Sequence, residues 1–117
     1  MSDELRPVVW MGGSRGDLAA MPKPVRNSFG LRLQELQRGK RVHDSKALPQ
    51  LGSGILELRE SHDRNAYRLM YVLKLKKAIY VLHVFMKKSK SGIGLPKPDA
   101  AVIATRLKNA QTLDAES

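Results

Sequence analysis

The sequence predicts an α+β domain, a small twisted and mainly antiparallel sheet with helices packed on one face. Residues 55–60 and 67–75 alternate apolar and polar side chains with the period of two that a half-buried strand requires. The apolar run 78–86 follows directly after a Lys76-Lys77 turn. Residues 25–36 instead repeat their apolar positions at helical spacing.

Taken in order, Pro7-Val8-Val9-Trp10-Met11 is a short apolar run closed by Gly12-Gly13, which reads as a first strand and a turn. Ser14 reads as the N-cap of a short helix over 14–21 with Asp17 in its first turn, and Pro22 and Pro24 interrupt it. In the second helix Val25, Phe29, Leu33 and Leu36 line one face, Arg26, Arg32, Glu35 and Arg38 point elsewhere, and Gly39 ends it. Gly30 costs that helix about 1 kcal/mol relative to alanine, and is expected to let it pack closely on the sheet. Residues 39–54 read as the longest loop, with 48–52 folded back over the core edge.

In the strand that follows, Leu56 and Leu58 share one face, and Ile55, Glu57 and Arg59 the other. Tyr67, Leu69, Tyr71, Leu73 and Leu75 likewise oppose Arg68, Met70, Val72 and Lys74. With 78–86 these segments form an antiparallel meander of three strands. After Pro96 and Pro98 a last helix carries Ala100, Ile103, Ala104 and Leu107 on one side, and residues 112–117 are expected to fray. The alternation assigns Trp10, Tyr67, Tyr71, Tyr80, Phe29 and Phe85 to the core. If all helices cover one face, the other is an open floor carrying Arg59, Arg68 and the strand-end lysines.

The length of 117 residues bounds the chain to one domain. The longest apolar run, 78–86, falls far short of the ~20 residues of a membrane span. Met1-Ser2-Asp3-Glu4 places acids where a secretory signal carries positive charge, so the expected location is the cytoplasm. Without cysteine, and with His43, His62 and His83 far apart, neither a metal site nor any other cofactor is expected. Charge narrows the partner most: 21 Lys and Arg against 11 Asp and Glu give +10, which suits nucleic acid or an acidic protein.

The segments Val8-Val9-Trp10-Met11-Gly12-Gly13-Ser14 with Asp17-Leu18, Leu56-Glu57-Leu58-Arg59-Glu60, Tyr67-Arg68-Leu69-Met70-Tyr71-Val72, residues 79–89 and Ala104-Thr105-Arg106-Leu107 occur in an order and spacing that together carry a resemblance. Across nearly its whole length the chain resembles the RelE/HigB superfamily of toxins from type II toxin-antitoxin systems, in particular a phage-derived HigB-like branch. The resemblance implies an endoribonuclease that cuts messenger RNA in the ribosomal A site without a metal, by attack of a ribose 2′-hydroxyl on the adjacent phosphate. It also implies a small cognate antitoxin, a helix-turn-helix protein, through which any DNA contact of the complex would be made.

Carried over residue by residue, the resemblance points to Arg68, Arg59, Lys87 and His83 as the catalytic set, and to Lys88, Lys90, Lys74 and Lys46 as RNA contacts. A guanidinium on a strand can hold a phosphate in two-pronged fashion. The alternative for Arg68 is pairing with Glu57 or Glu60, and Arg59 is expected diagonally near it. Of this set His83 is the residue type suited to acid-base work, with a packed, hydrogen-bonded histidine as its alternative. The lysines are alternatively a solvated sheet edge.

The chain departs from the family pattern in having no tyrosine after Tyr80, no histidine after His83, and Glu57 where some relatives carry lysine. Two further readings therefore stand beside the enzyme. One is a basic RNA- or ribosome-binding protein that does not cut, and the other a protein whose charge holds an acidic partner.

Overall fold

The computed structural model describes residues 5–87 and 95–116. In chain order these form β1 (Val8–Trp10), α1 (Ser14–Ala19), α2 (Lys23–Gln37), β2 (Lys46–Ala47), a 3₁₀ turn (Pro49–Leu51), β3 (Ile55–His62), β4 (Asn65–Val72), β5 (Ile79–Lys87) and α3 (Lys97–Glu116). The strands make one open sheet in the order β1-β5-β4-β3-β2, antiparallel except for β1 beside β5. The fold class is the expected α+β one.

The helices divide between the two faces. On one, Val25, Phe29, Leu33 and Leu36 of α2 meet Leu58, Tyr67, Leu69, Tyr71, Ile79, Val81 and Val84. On the other, Ile103, Leu107 and Ala110 of α3 meet Ile55, Met70, Val72, Tyr80, Leu82 and Phe85. Burying each such aliphatic or aromatic side chain contributes about 1.5–3 kcal/mol before entropy is counted. Placing every helix on one face is thus corrected for α3: β4 and β5 are apolar on both sides, and each side must be covered.

Several local expectations also change. Ser14 is the first helical residue rather than the cap, and its hydroxyl donates to the Val81 carbonyl at 3.3 Å. A side chain at Gly30 would meet nothing within 4 Å, so that glycine serves no close approach. Gly39 does end α2, at φ 78°, with its N–H and that of Lys40 returning to Leu36 and Glu35. The long loop holds β2, whose two residues pair with Leu56 and Glu57. Two residues give almost no period to read, which is why the sequence reads as loop there.

The hairpin joining β3 to β4 turns at Asp63-Arg64, both with positive φ (48° and 67°), the geometry of a two-residue type I′ turn. That tight turn sets Arg59 directly opposite Arg68 rather than diagonal to it. Across β4 and β5 the pairing steps from Met70–His83 to Tyr71–Val81, leaving Leu82 as a bulge. Arg106 of α3 donates to the Leu82 carbonyl at 3.0 Å.

A Cβ on Gly12, at φ 54°, would lie 2.6–2.8 Å from the Arg106 guanidinium. The Trp10-to-Ser14 segment and the α3 arginine thus converge on the β5 bulge. Gly12→Ala is expected to destabilise the chain by about 1–2 kcal/mol through the left-handed backbone alone, with a further loss if Arg106 gives up Leu82. Denaturant titration beside the parent measures it, and an unchanged midpoint would dissociate Gly12 from the bulge.

Helix α3 also runs past residue 112, where fraying is expected, to Glu116. Asp114 anchors its end, accepting hydrogen bonds from the Lys76 and Lys77 N–H groups at 3.0 and 2.8 Å and from the Tyr80 hydroxyl at 2.9 Å. Burial opposes the Asp114 charge, but those three donors and the Lys77 ammonium outweigh it and hold the carboxyl below its ordinary value of 3.8. Burial, with Asp114 as acceptor, pushes the Tyr80 phenol up to about 12.

A carboxyl with a depressed folded-state pKa stabilises fully above its unfolded value and loses that contribution as pH falls through the folded one. Acidification below pH ~4 should therefore unfold the parent in part through Asp114. The Asp114→Asn chain should show a shallower dependence over that interval in thermal melts. Superimposable acid profiles would remove Asp114 from the account.

Candidate nucleic-acid interface

The site lies on the α3 face of the sheet, beyond the part that α3 covers. Strand pairing aligns it in rows. One row runs Lys46, Glu57, Met70, His83, and the next Arg59, Arg68, Phe85, with Lys87 opposite Ala66 one row further on. Directly paired residues share a face. Rows from four strands therefore fix these side chains relative to one another.

Two guanidinium groups directly opposite each other repel, and this pair is held together by an acid. Glu57 is completely buried. Its Oε1 accepts from Arg59 Nε at 2.6 Å, and its Oε2 lies 3.2 Å from Arg68 Nη1. The second contact is an ion pair whose direction is poor for hydrogen bonding, so Glu57 Oε2 and Arg68 Nε remain without hydrogen-bond partners. Glu60, the other candidate partner for Arg68, is taken by Arg32 of α2 at 2.8 Å.

The Arg68 side chain is 10% exposed and that of Arg59 54%. Burial pushes Arg68 below the usual arginine value, with Glu57 opposing that shift and Arg59 adding to it. It remains a cation at neutral pH. Lys87 is also held below the ordinary lysine range, first by desolvation and then by repulsion from Arg68 and Arg59, against a smaller pull from Glu57. Lys87 thus belongs to the same electrostatic cluster as the two arginines. A lysine displaced in this direction gives up its proton more readily than an isolated one.

His83 is 9% exposed, stacks on Phe85 with ring centroids 4.7 Å apart, and has its Nε2 at 2.7 Å from Asp99 Oδ1 in the first turn of α3. Its Nδ1 is buried without a partner. This is the packed, hydrogen-bonded histidine that stood as the alternative to an acid-base role. Phe85 occupies the position across from Arg68 but is itself buried.

The structure therefore brings Arg59, Arg68 and Lys87 together, places His83 one row away with Asp99 on it, and sets Lys46 at the sheet edge opposite Glu57. Lys74 is not part of the group. It follows the far end of β4 and bonds the Ser53 hydroxyl, so it is corrected out of this floor. Lys88 and Lys90 lie outside the described residues.

The pairing of Arg68 with Glu57, read from the sequence as the alternative to its phosphate role, is present, and what sequence reasoning missed is that Glu57 binds Arg59 as well. The available signal was an acid two residues before Arg59, which puts both on one strand face. Asp99 was missed because only the docking of α3 brings it to β5.

Among the described residues, no group of three or more His, Cys, Asp and Glu is placed to hold a metal ion. No helix among them is long and apolar enough to cross a membrane. What the cluster can do is bind an anion. Two guanidiniums and an ammonium on neighbouring strands, with Glu57 between the guanidiniums, are the groups that bind phosphate oxygens.

No curated protein and no solved structure matches the chain. The family model for the phage-derived protein Gp49-like (DUF891) matches residues 16–108, a span that contains Glu57, Arg59, Arg68, His83, Lys87 and Arg106. With well over half of its length matched, the chain belongs to the Gp49-like family of phage-derived proteins.

Proposed function

We propose that the chain is the toxin of a type II toxin-antitoxin pair, a RelE/HigB-type endoribonuclease that cuts messenger RNA on the ribosome without a metal. The observation that carries this reading is the Arg59–Glu57–Arg68 cluster with Lys87 beside it, three cations held on neighbouring strands.

Arg68 and Arg59 would hold the scissile phosphate and stabilise the charge that builds as the ribose 2′-oxygen attacks phosphorus. The 5′-oxygen then leaves and a 2′,3′-cyclic phosphate forms. Lys87, displaced toward its neutral form by desolvation and then by the two arginines, is the candidate for moving the proton. With His83 engaged by Asp99, the protein's own acid-base equipment is sparse, which favours a reaction completed by ribosomal groups. Lys46 at the edge would steer the RNA backbone.

The same engagement of His83 supports a second reading, a basic protein that blocks the ribosome without cutting. Induced expression in a bacterium, with primer-extension mapping of messenger RNA ends, distinguishes the two. New in-frame cuts that require translation are the expected result. Growth arrest without cuts would leave the ribosome-binding reading, and no arrest would sink both.

A further inference from the structure

A second cationic region lies at the other end of the sheet. The segment after α2, the residues before β1 and the connection from β4 to β5 enclose a groove of about 1100 Å³ on the α2 side. Among its 19 lining residues seven are lysine or arginine and none is acidic. The rim includes Arg38, Arg41 and Lys76, all exposed. Between these cations Val42, Leu56, Leu73 and Leu75 are half-buried, over the buried Leu36.

That pairing of floor and rim decides the occupant. Single-stranded nucleic acid is held by successive bases stacked on several exposed rings, whereas of the two rings lining this groove Tyr71 is 1% exposed with its hydroxyl bonded to Ser45 at 2.7 Å, which leaves His43 alone exposed. Partly exposed aliphatic surface inside a positive rim instead complements a segment with leucine or valine along one side and carboxylates flanking it. We infer that this groove docks an acidic amphipathic segment of a partner protein.

Leu73 lies five residues along the chain from Arg68, about 16–17 Å at the rise of a strand. A segment seated here leaves the Arg59–Arg68–Lys87 cluster uncovered. Whether or not that cluster cuts RNA, the two ends of the sheet can be occupied at once.

The test uses the full chain, isotope-labelled for NMR, and three probes. These are a synthetic helical peptide with leucines along one side and glutamates along the other, the same peptide with serine for leucine, and single-stranded oligouridine. The leucine peptide is expected to bind saturably, to shift the resonances of Val42, Leu73 and Leu75, and to bind about tenfold tighter than the serine peptide. Arg41→Glu with Lys76→Glu should weaken it by about tenfold or more, while Arg59→Ala leaves it unchanged. Absence of saturable binding, equal binding of both peptides, shifts centred on Arg68, or stronger displacement of the groove resonances by oligouridine would each overturn the assignment. The cleavage assay is read separately, so failure here and failure of the ribonuclease reading are distinguishable.

Discussion

On the proposed ribonuclease reading, Arg68→Ala is expected to abolish growth arrest on induction and to reduce messenger RNA cutting by roughly 10²–10³-fold, the usual penalty for removing one group that stabilises a developing oxyanion. The size follows from its position. Arg68 sits mid-strand between β3 and β5, opposite Arg59 and Phe85, with its side chain 10% exposed and ion-paired to the buried Glu57. A cation held in place loses little freedom when phosphate arrives.

Alanine at Arg68 also leaves Glu57 with Arg59 alone, so a fold control is needed. Arg68→Lys keeps the charge beside Glu57 but loses the two-pronged contact. It should melt near the parent temperature while still losing most of the activity. Full toxicity from a folded Arg68→Ala chain would remove Arg68 from the site.

Removing the acid should have the largest effect on stability. Glu57→Ala is expected to cost about 3–5 kcal/mol, the range for breaking a buried ion pair, because it leaves Arg59 and Arg68 facing each other with nothing between. Urea denaturation followed by circular dichroism measures it. The companion variant Glu57→Leu with Arg68→Met should recover much of the loss, since apolar replacement of a buried pair is often close to neutral. A loss under ~1 kcal/mol for Glu57→Ala would mean the arginines are screened by solvent and that Glu57 does not organise them.

The elements most legible in the sequence were those with sustained periodicity. Val25, Phe29, Leu33 and Leu36 all reach the core as their spacing required, and Tyr67, Leu69 and Tyr71 share the face the alternation assigned them. The site was half legible. Arg59 and Arg68 could be placed on strands facing one way, but their register depended on the Asp63-Arg64 turn, which lacks the glycine that normally marks a two-residue hairpin. Lys74 read as part of the same floor because alternation assigns a face and says nothing of which end of a strand a side chain occupies. Asp114 read as tail because its three donors come from the β4–β5 connection and Tyr80, more than 30 residues away.

By itself the sequence determined the fold class, the three-stranded meander and the excess of positive charge, because patterning and composition act locally or as sums over the chain. Only the tertiary structure decided which cations meet. The side to which α3 docks, the alignment of Arg59 with Arg68, and the burial of Glu57 between them all depend on contacts between strands and helices distant in sequence. A charge acquires a partner, and a groove its floor, only when the sheet assembles and displaces water from both.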